Sequence, residues 1–390
     1  MEKRRRFWTL CACSGLAIVG TRPSLAAEWL IDPTGRIGTL YASNPRLLRN
    51  SVADGDWSVA TVGELNAALQ RRTERSEFSL QPRLYSERHE DFPVLDRDDR
   101  SLRTRFTYGS PRLQWNASAD LVYDTTLTSE LGLTGLVDSN RPHEGTSLSG
   151  GPTYLLSERT NAGMQAYWNH NHYRDARFTG LLDYEYAALS VFAGHSLSSR
   201  TQLTFITRAG ELHVPDFPLA DKQDASAVLK WRYQLARSWS AEVAAGPSYA
   251  RSDIASDDGL VLRGELEHRE ERWTYSISAG RDVTPTGRGG LIRRDQASLS
   301  ASHWWTPRLV SSVTLHGVRN QELLVSAGLP GDELHYGRIE LKFNWRWTER
   351  VSVAGGFTGL TQQMKSRRNS DVDNYTAAVS IIWNVAALSL

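Results

Sequence analysis

The sequence predicts an all-β protein, a transmembrane antiparallel up-and-down β-barrel of 18 strands, with 16 strands as the alternative. Three observations lead to this prediction: a basic and apolar leader, alternating polar and apolar runs of about ten residues, and a short Arg-containing turn that recurs along the chain. No apolar stretch is long enough for a spanning helix. Only helices and closed barrels satisfy their own backbone hydrogen bonds inside a bilayer, so a barrel remains.

The first 27 residues have the pattern of an export signal. MEKRRR is basic, residues 7–20 are mostly apolar, and small residues surround Ala26 and Ala27. We therefore predict a cleaved secretory signal peptide over 1–27 and a barrel over 28–390. The two cysteines, Cys11 and Cys13, both lie in the leader. An exported mature chain without cysteines must be stable without disulfides.

The composition narrows the class of protein further. The chain has 390 residues, with 45 Lys and Arg against 44 Asp and Glu, so its formal net charge is +1. A nucleic-acid-binding protein would usually be strongly basic, and none is predicted here. The 13 Trp and 14 Tyr against 3 Met are typical of proteins whose aromatic rings line a membrane interface.

The repeated turn is a short polar segment that contains an arginine and precedes a new strand-like run. Neighbouring copies lie 35 to 47 residues apart, with their arginines at Arg75, Arg112, Arg159, Arg200, Arg237, Arg272, Arg308 and Arg350. Longer polar segments at 128–145, 213–224, 285–290 and 361–374 read as loops. Short turns that alternate with longer loops are typical of outer-membrane barrels. Eight turns imply nine hairpins, the first built from strands at 36–42 and 59–70, and the last from strands at 351–360 and 374–385.

The alternation predicts which side chains face the lumen. In HYGRIELKFNWRW (335–347) the charged residues share one parity and the apolar residues share the other. A charged side chain on the lipid face at the bilayer midplane costs about 2–4 kcal/mol, so the polar parity must face inward. The predicted lumen residues are Glu64, Arg83, Arg103, Arg105, Asp120, Lys230, Arg232, Glu242, Arg263, Glu265, Glu267, Arg338, Glu340, Lys342 and Arg346. The predicted interface girdle is Trp231, Trp239, Trp273, Trp305, Trp345, Trp347 and Trp383.

Other readings of these residues stay open from sequence alone. The lumen charges can tune the passage of solutes, or they can pair across strands and only hold the wall. His170 and His172 have metal-ligand spacing without a third ligand, so no metal site or cofactor is predicted. TGRGG (286–290) lacks the context of a phosphate loop. His195, His303 and His316 have no defensible Ser and acid partners, so an outer-membrane lipid hydrolase is the least favoured class and no enzyme is predicted.

Several stretches resemble bacterial β-barrel porins of the type that accompany exopolysaccharide production and export. These are LYASNPRLL (40–48), RRTERSEFSLQPRLYSERH (71–89), DTTLTSELGLTGLVDSNR (124–141) and the LSERT and LSSRT turns. The resemblance covers about residues 28–390 and carries no catalytic residues. It departs at the C-terminus, which ends NVAALSL where such barrels commonly end on an aromatic residue. Either the terminal signal is degenerate, or the last residues trail beyond the final strand.

The predicted role is a Gram-negative outer-membrane channel for a polar solute, with exopolysaccharide export implied by the resemblance. The alternative is a non-conducting barrel that anchors an envelope or secretion complex. The expected partners are outer-membrane lipid, the barrel-assembly machinery and the solute or polysaccharide.

Overall fold

The computed structural model describes residues 28–48, 57–133, 140–174, 180–215, 217, 221–324, 333–365, 370–386 and 388–389. In these residues eighteen long antiparallel strands form one closed sheet, each paired with its neighbours in sequence. The predicted signal peptide lies outside the described residues. The strands are β1 Glu28–Ala42, β2 Ser58–Arg72, β3 Ser76–His89, β4 Arg97–Gly109, β5 Leu113–Thr125, β6 Pro142–Leu155, β7 Thr160–Tyr173, β8 Tyr184–Ser196, β9 Thr201–His213, β10 Lys222–Ala236, β11 Trp239–Ser252, β12 Ser256–Arg269, β13 Trp273–Thr286, β14 Gly290–Thr306, β15 Leu309–Glu322, β16 Glu333–Arg346, β17 Val351–Lys365, β18 Ser370–Asn384 and the short β19 Leu388–Ser389. Between strands lie a 3₁₀ helix, Pro93–Leu95, and an α-helix, α1, Thr126–Leu133.

The barrel closes where the first strand pairs with the last. Gly38 of β1 lies opposite Val62 of β2 on one side and opposite Ser380 of β18 on the other. Closure leaves no unpaired edge, as a bilayer requires. The prediction of an 18-stranded antiparallel barrel is confirmed, and the 16-stranded alternative is wrong.

The first strand is longer than the sequence pattern predicted. It spans Glu28–Ala42 rather than 36–42. Pro33 conceals the extra length, because a residue without an N–H usually argues against a paired strand. Pro33 has no N–H to donate, and it lies where the pairing on the β18 side is interrupted. The β18 pairing ends at Thr34, and β19 pairs with Leu30 and Ile31. Pro33 still accepts a hydrogen bond from the Val385 N–H, at 3.1 Å.

The pairing of β19 also corrects one expectation about the C-terminus. Leu388 and Ser389 lie opposite Ile31 and Leu30 of β1. Among the described residues that follow Trp383, Leu388 and Ser389 therefore pair with the first strand rather than trailing away from the barrel.

All eight predicted turns connect strands at one end of the barrel, which by their shortness is the periplasmic end. In most of them a Ser or Thr two residues before the arginine stabilises the turn. In the turn of Arg350, for example, the Thr348 hydroxyl oxygen accepts a hydrogen bond from the Arg350 N–H at 3.2 Å. The carbonyl oxygen of Arg350 then accepts from the Asn384 N–H at 2.7 Å, which joins adjacent hairpins. The repeat is therefore a backbone motif as well as a sequence motif.

The external loops are shorter than the sequence analysis predicted, because the strands continue into the polar segments. The segment 285–290 shrinks to a three-residue turn, with Pro285 and Thr286 in β13 and Gly290 in β14. Gly289 has φ +69° there, a conformation that favours glycine. Much of 361–374 belongs to β17 and β18, and β9 and β10 reach into 213–224. Polar composition therefore does not mark the end of a strand in these segments.

Two buried apolar clusters lie inside the external end of the barrel. The first joins residues of β7 to β9, β11 and β14 to the segments after β9 and β15, and includes Tyr173, Tyr184, Tyr186, Leu212, Val214, Leu291 and Leu323. The second joins Leu47 to Val318, Tyr336, Leu360 and Val372 of β15 to β18, with Leu127 of α1 packed against it. The outer surface, in contrast, exposes large apolar side chains such as Leu65, Leu229, Ile277 and Leu341. The fold is therefore apolar outside and filled at its external end.

Candidate solute pathway

Strand register places the predicted lumen residues on one continuous face. Arg36 lies opposite Glu64, Asn66 opposite Arg83, and Arg103 opposite Asp120. Lys230 lies opposite Ala244, which in turn lies opposite Arg263. Arg232 lies opposite Glu242, which in turn lies opposite Glu265. The alternate parity carries the exposed apolar side chains, so the polar parity lines the inside. Whether these residues contact a passing solute remains a prediction.

Three of the lumen carboxylates each form ion pairs with two cations. Glu64 contacts Arg83 at 2.8 Å and Arg36 at 3.9 Å. Glu242 contacts Arg232 at 2.8 Å and Lys230 at 3.5 Å. Glu340 is paired with Arg338 and Lys342 of its own strand.

The exposures within these triads differ by the sign of the charge. The three carboxylate side chains are 13–14% exposed, whereas their cations are 29–63% exposed. Each triad has a formal charge of +1, and the groups that reach the lumen water are its ammonium and guanidinium donors. From sequence, mixed signs gave no preference between anions and cations. Within the three triads, the structure shows that burial separates the two signs, whereas Glu265 elsewhere on the wall is an exposed carboxylate.

The remaining predicted lumen residues have different surroundings. Arg103 pairs with Asp120 at 2.7 Å, and Glu267 with Arg269 at 2.5 Å. Arg346 lies at the periplasmic rim, where its guanidinium donates to the Pro307 carbonyl oxygen at 2.8 Å. Among the described residues Arg105, Arg263 and Glu265 form no ion pair within 4.0 Å. The alternative in which charges only pair across strands thus describes part of the lumen and not all of it.

The predicted tryptophan girdle lies on the outer face near the periplasmic turns. The seven side chains, Trp231, Trp239, Trp273, Trp305, Trp345, Trp347 and Trp383, are all exposed. Several stack on neighbouring rings, such as Trp273 on His303 with centroids 3.8 Å apart. A row of exposed, stacked rings at strand ends is the arrangement expected at a lipid headgroup boundary. Its contact with lipid remains a prediction.

Helix α1 narrows the lumen from the external end, which the sequence did not predict. The Arg97 guanidinium donates to the Thr128 hydroxyl oxygen at 2.5 Å, which ties α1 to β4. The Tyr173 hydroxyl donates to the buried Glu130 carboxylate, which ties α1 to β7. Leu127 packs against the cluster on β15 to β18. Contacts to such distant strands require the helix to lie inside the barrel.

The tip of the β13–β14 hairpin also leans inward. The β12–β13 pairing stops at Leu262 and Arg281, whereas the β13–β14 pairing continues to Thr286 and Gly290. Beyond that point the Gly287 carbonyl oxygen accepts a hydrogen bond from the Leu182 N–H at 2.7 Å. A Cβ on Gly287 would lie 2.6 Å from the Tyr173 hydroxyl, so glycine permits this close approach. The tip therefore packs against the region of β7 and β8 and narrows the lumen.

A buried polar network holds the wall beneath α1. The His89 ring contacts the Ser58 hydroxyl at 3.1 Å and the Glu87 carboxylate at 2.8 Å. Glu87 also accepts hydrogen bonds from Arg97 at 2.7 Å and from the Tyr85 hydroxyl at 2.5 Å. Sequence spacing alone did not reveal this Ser–His–acid contact. Ser58 is fully buried, so its hydroxyl is closed to a substrate, and the network reads as structural.

Removing the Glu87 carboxylate is expected to destabilise the barrel strongly. Glu87→Ala leaves Arg97 and His89 without their buried acceptor, and we expect a loss of about 3 kcal/mol in the free energy of unfolding. Asp98→Ala is the matched control, because Asp98 pairs with Arg88 at 2.7 Å with both side chains about half exposed. That change should cost at most about 1 kcal/mol. Urea unfolding in detergent measures both, and equal losses would contradict a structural role for the network.

The histidines named in the sequence analysis do not belong to this buried network. His172 contacts Asp183 at 2.5 Å and His170 contacts Glu185 at 3.4 Å, on the outer face near the external end. Within the described ranges no three His, Cys, Asp or Glu side chains form a group that could hold a metal ion. His195 and His303 lie near periplasmic turns, away from the outer rim where a lipid hydrolase would need them. In the described part of the chain no helix is long and apolar enough to cross a membrane.

Comparison with known proteins shows the architecture. OccK2 (OpdF) of Pseudomonas aeruginosa is similar with TM-score 0.50 and 10% identity, over 92% of this chain and 98% of that chain. OccAB4 of Acinetobacter baumannii gives TM-score 0.49, 7% identity and coverages of 94% and 99%. The FrpB iron transporter of Neisseria meningitidis gives TM-score 0.48 and 9% identity, over 91% of this chain and 81% of that chain.

The chain has the fold of an outer-membrane β-barrel protein. No family model matches the sequence, and no curated protein matches it. The resemblance to exopolysaccharide-associated porins therefore holds at the level of the barrel, and its finer part remains a prediction. An outer-membrane location agrees with the exposed apolar wall.

Proposed function

We propose that the protein is a passive outer-membrane channel for small polar solutes. The observation that supports this most is the lumen wall, where charged side chains on at least three separate strand groups reach water. Lys342 is 63% exposed, Arg232 61% and Arg103 54%, although all three lie on the inner parity. A barrel that served only as a scaffold could fill this space with packed side chains. Solvated charges on an inner wall are typical of a conduit.

The inserted segments set a limit on the size of the solute. Helix α1, the segment around Leu47 and the β13–β14 tip all occupy the external end. An extended polysaccharide, which the resemblance implies, would need these segments to move aside. A small solute needs no such rearrangement, so the proposal favours small solutes over polymers.

The sign of the exposed charge favours anions. Each of the three triads presents two cations to the lumen and keeps its carboxylate beneath them. Fixed positive charge in a narrow aqueous passage raises the local concentration of anions. We therefore propose that anionic solutes pass more readily than cationic ones of the same size.

Planar-bilayer recording tests this function. Purified protein should give stable current steps in KCl, and a salt gradient should give a reversal potential of the sign set by chloride. Lys342→Gln should shift that potential toward zero, because it removes the most exposed cation of the Glu340 triad. Thr358→Ser is the control, since it changes an inner-face residue opposite Glu340 without changing charge. Silent bilayers would refute the channel.

The second candidate is a non-conducting barrel that anchors an envelope complex. The two buried clusters inside the external end favour it, because they resemble a packed core more than a pore mouth. It predicts no current from the wild-type protein at any voltage. It also predicts that the barrel remains silent when only a single lumen charge is changed.

A further inference from the structure

Apart from Arg346 at the periplasmic rim, four lumen-facing arginines of the described strands lack a carboxylate within 4.0 Å, and three of them lie together. These are Arg208 of β9, Arg263 of β12 and Arg294 of β14, while Arg105 of β4 lies elsewhere on the wall. The other described lumen-wall arginines at mid-height, such as Arg83 and Arg103, have carboxylate partners. The grouping is therefore an exception to the charge pairing of the wall.

The inward lean of the β13–β14 hairpin brings the three arginines together. Arg294 lies directly opposite Asp282 in the β13–β14 ladder. Arg263 lies opposite Gly280. On β13, Gly280 is the next inward-facing residue on the periplasmic side of Asp282. Arg208 comes from β9, four strands away, because the hairpin tip packs on the cluster that contains Leu212 of that strand. The positive charges of Arg294, Arg263 and Arg208 all act on the Asp282 carboxylate.

The cluster has more positive charge than its neighbours neutralise. Three guanidinium groups face the carboxylate of Asp282, and Arg208 also has the Asp224 carboxylate on the far side of the Tyr186 hydroxyl, so these five groups have a formal charge of +1. Arg208 is held in place by a 2.7 Å hydrogen bond to the Tyr186 hydroxyl, which donates to Asp224 at 2.6 Å. Glu265 lies two residues from Arg263 toward the periplasm and forms no ion pair with it. The arginines are thus held in position and only partly neutralised.

Unused hydrogen-bonding capacity is buried at the same place. One carboxylate oxygen of Asp282 and Nε of Arg294 are inaccessible, and neither has a hydrogen-bond partner in the described part of the chain. Buried polar atoms are nearly always paired in proteins, and an unpaired donor is costly. Arg263, in contrast, is exposed to the lumen. The cluster therefore combines fixed donors at its base with one accessible guanidinium.

We infer that Arg208, Arg263 and Arg294 form an oxyanion-binding site, which takes a carboxylate or phosphate group of a solute in the lumen. Guanidinium groups bind both through paired N–H donors, with charge assistance. Asp282 competes with the bound anion and keeps its affinity low enough for release. The site rests on the proposed function for its access from the lumen, although its binding can be measured without any current.

Equilibrium binding to the purified barrel in detergent tests the site, with inorganic phosphate and acetate as probes. Wild-type protein should bind phosphate saturably at one site. Arg263→Gln should weaken this binding about tenfold, which is about 1.4 kcal/mol, because it removes one pair of charge-assisted N–H donors. Asp282→Asn should strengthen binding several-fold by removing the competing charge. Arg105→Gln is the matched control, since it removes an unpaired lumen arginine elsewhere, and it should bind phosphate as the wild type does.

The variants must first migrate as folded, heat-modifiable barrels. Binding of both probes supports a general oxyanion site, and binding of phosphate alone supports one that reads a doubly charged group. Equal weakening by Arg263→Gln and Arg105→Gln overturns the inference, as does weaker binding in Asp282→Asn. A barrel that binds phosphate but carries no current refutes the channel and keeps the site. A barrel that conducts without saturable binding refutes the site and keeps the channel.

Discussion

Replacing Leu341 by Arg is expected to abolish assembly of the barrel. Leu341 lies near the middle of β16, on the outer parity, between Val313 of β15 and Phe357 of β17. An arginine at the bilayer midplane on the lipid face costs about 2–4 kcal/mol, and the substitution also removes an apolar contact with lipid. The amount of heat-modifiable protein in the outer-membrane fraction measures the result. We expect little or none.

The neighbouring residue supplies the control. Lys342 follows in the same strand, faces the lumen and has an exposed side chain. Lys342→Gln keeps a polar group in contact with water, so this variant should assemble at the wild-type level. If the two variants assembled equally well, the assignment of inner and outer faces would be wrong along β16.

Removing the tip of the β13–β14 hairpin is expected to raise the conductance several-fold. Arg281 and Asp295 lie opposite each other where β13 loses its pairing with β12, while β14 stays paired with β15 as far as Ile292. An Asn-Gly turn in place of 282–294 would join them directly, because that dipeptide suits a two-residue hairpin. The external constriction would then lose its contacts with the region of β7 and β8. Single-channel recording measures the change, and an unchanged conductance would show that the tip does not limit flow.

A disulfide across the same contact complements the deletion. A Cβ on residue 289 would lie 3.5 Å from the Leu182 Cβ, within the range that a disulfide spans. The described residues contain no cysteine, so a Leu182→Cys, Gly289→Cys pair would be the only one among them. The strain of a side chain at φ +69° costs about 1–2 kcal/mol. The oxidised form should conduct as the wild type does, and failure of the two cysteines to cross-link would contradict the packing of the tip.

Individual residues show which parts of the fold were readable in advance. Leu341 and Lys342 were assigned to opposite faces from parity alone, because the side-chain period of a strand is a local property. The eight turns were located because each contains an Arg in a short polar segment, and in most of them a Ser or Thr hydroxyl bonds to the turn backbone. The first strand was predicted too short because a proline usually argues against a paired strand. Pro33 is tolerated because its partner changes there from β18 to β19, which only the structure shows.

The functional site was less accessible to sequence reasoning. Glu64 and Arg83 could be assigned to the lumen, but not the burial of Glu64 beneath two cations, which depends on how three strands align. Arg208 and Arg294 lie more than 80 positions apart in the chain, and no local pattern links them. Glu130 and Tyr173 belong to segments that read as a loop and as a polar strand end.

The sequence by itself determined the class of fold, the positions of the turns and the two faces of the wall, and it favoured 18 strands over 16. These follow from period-two alternation and turn chemistry, which act over a few residues. Only the tertiary structure decided what lies inside the barrel. A polar external segment has the same composition whether it extends into solvent or folds into the lumen, and the choice depends on contacts such as Leu127 with the cluster of Val318 and Leu360. Those contacts join residues far apart in the chain, and they set the width and the charge of the candidate pathway.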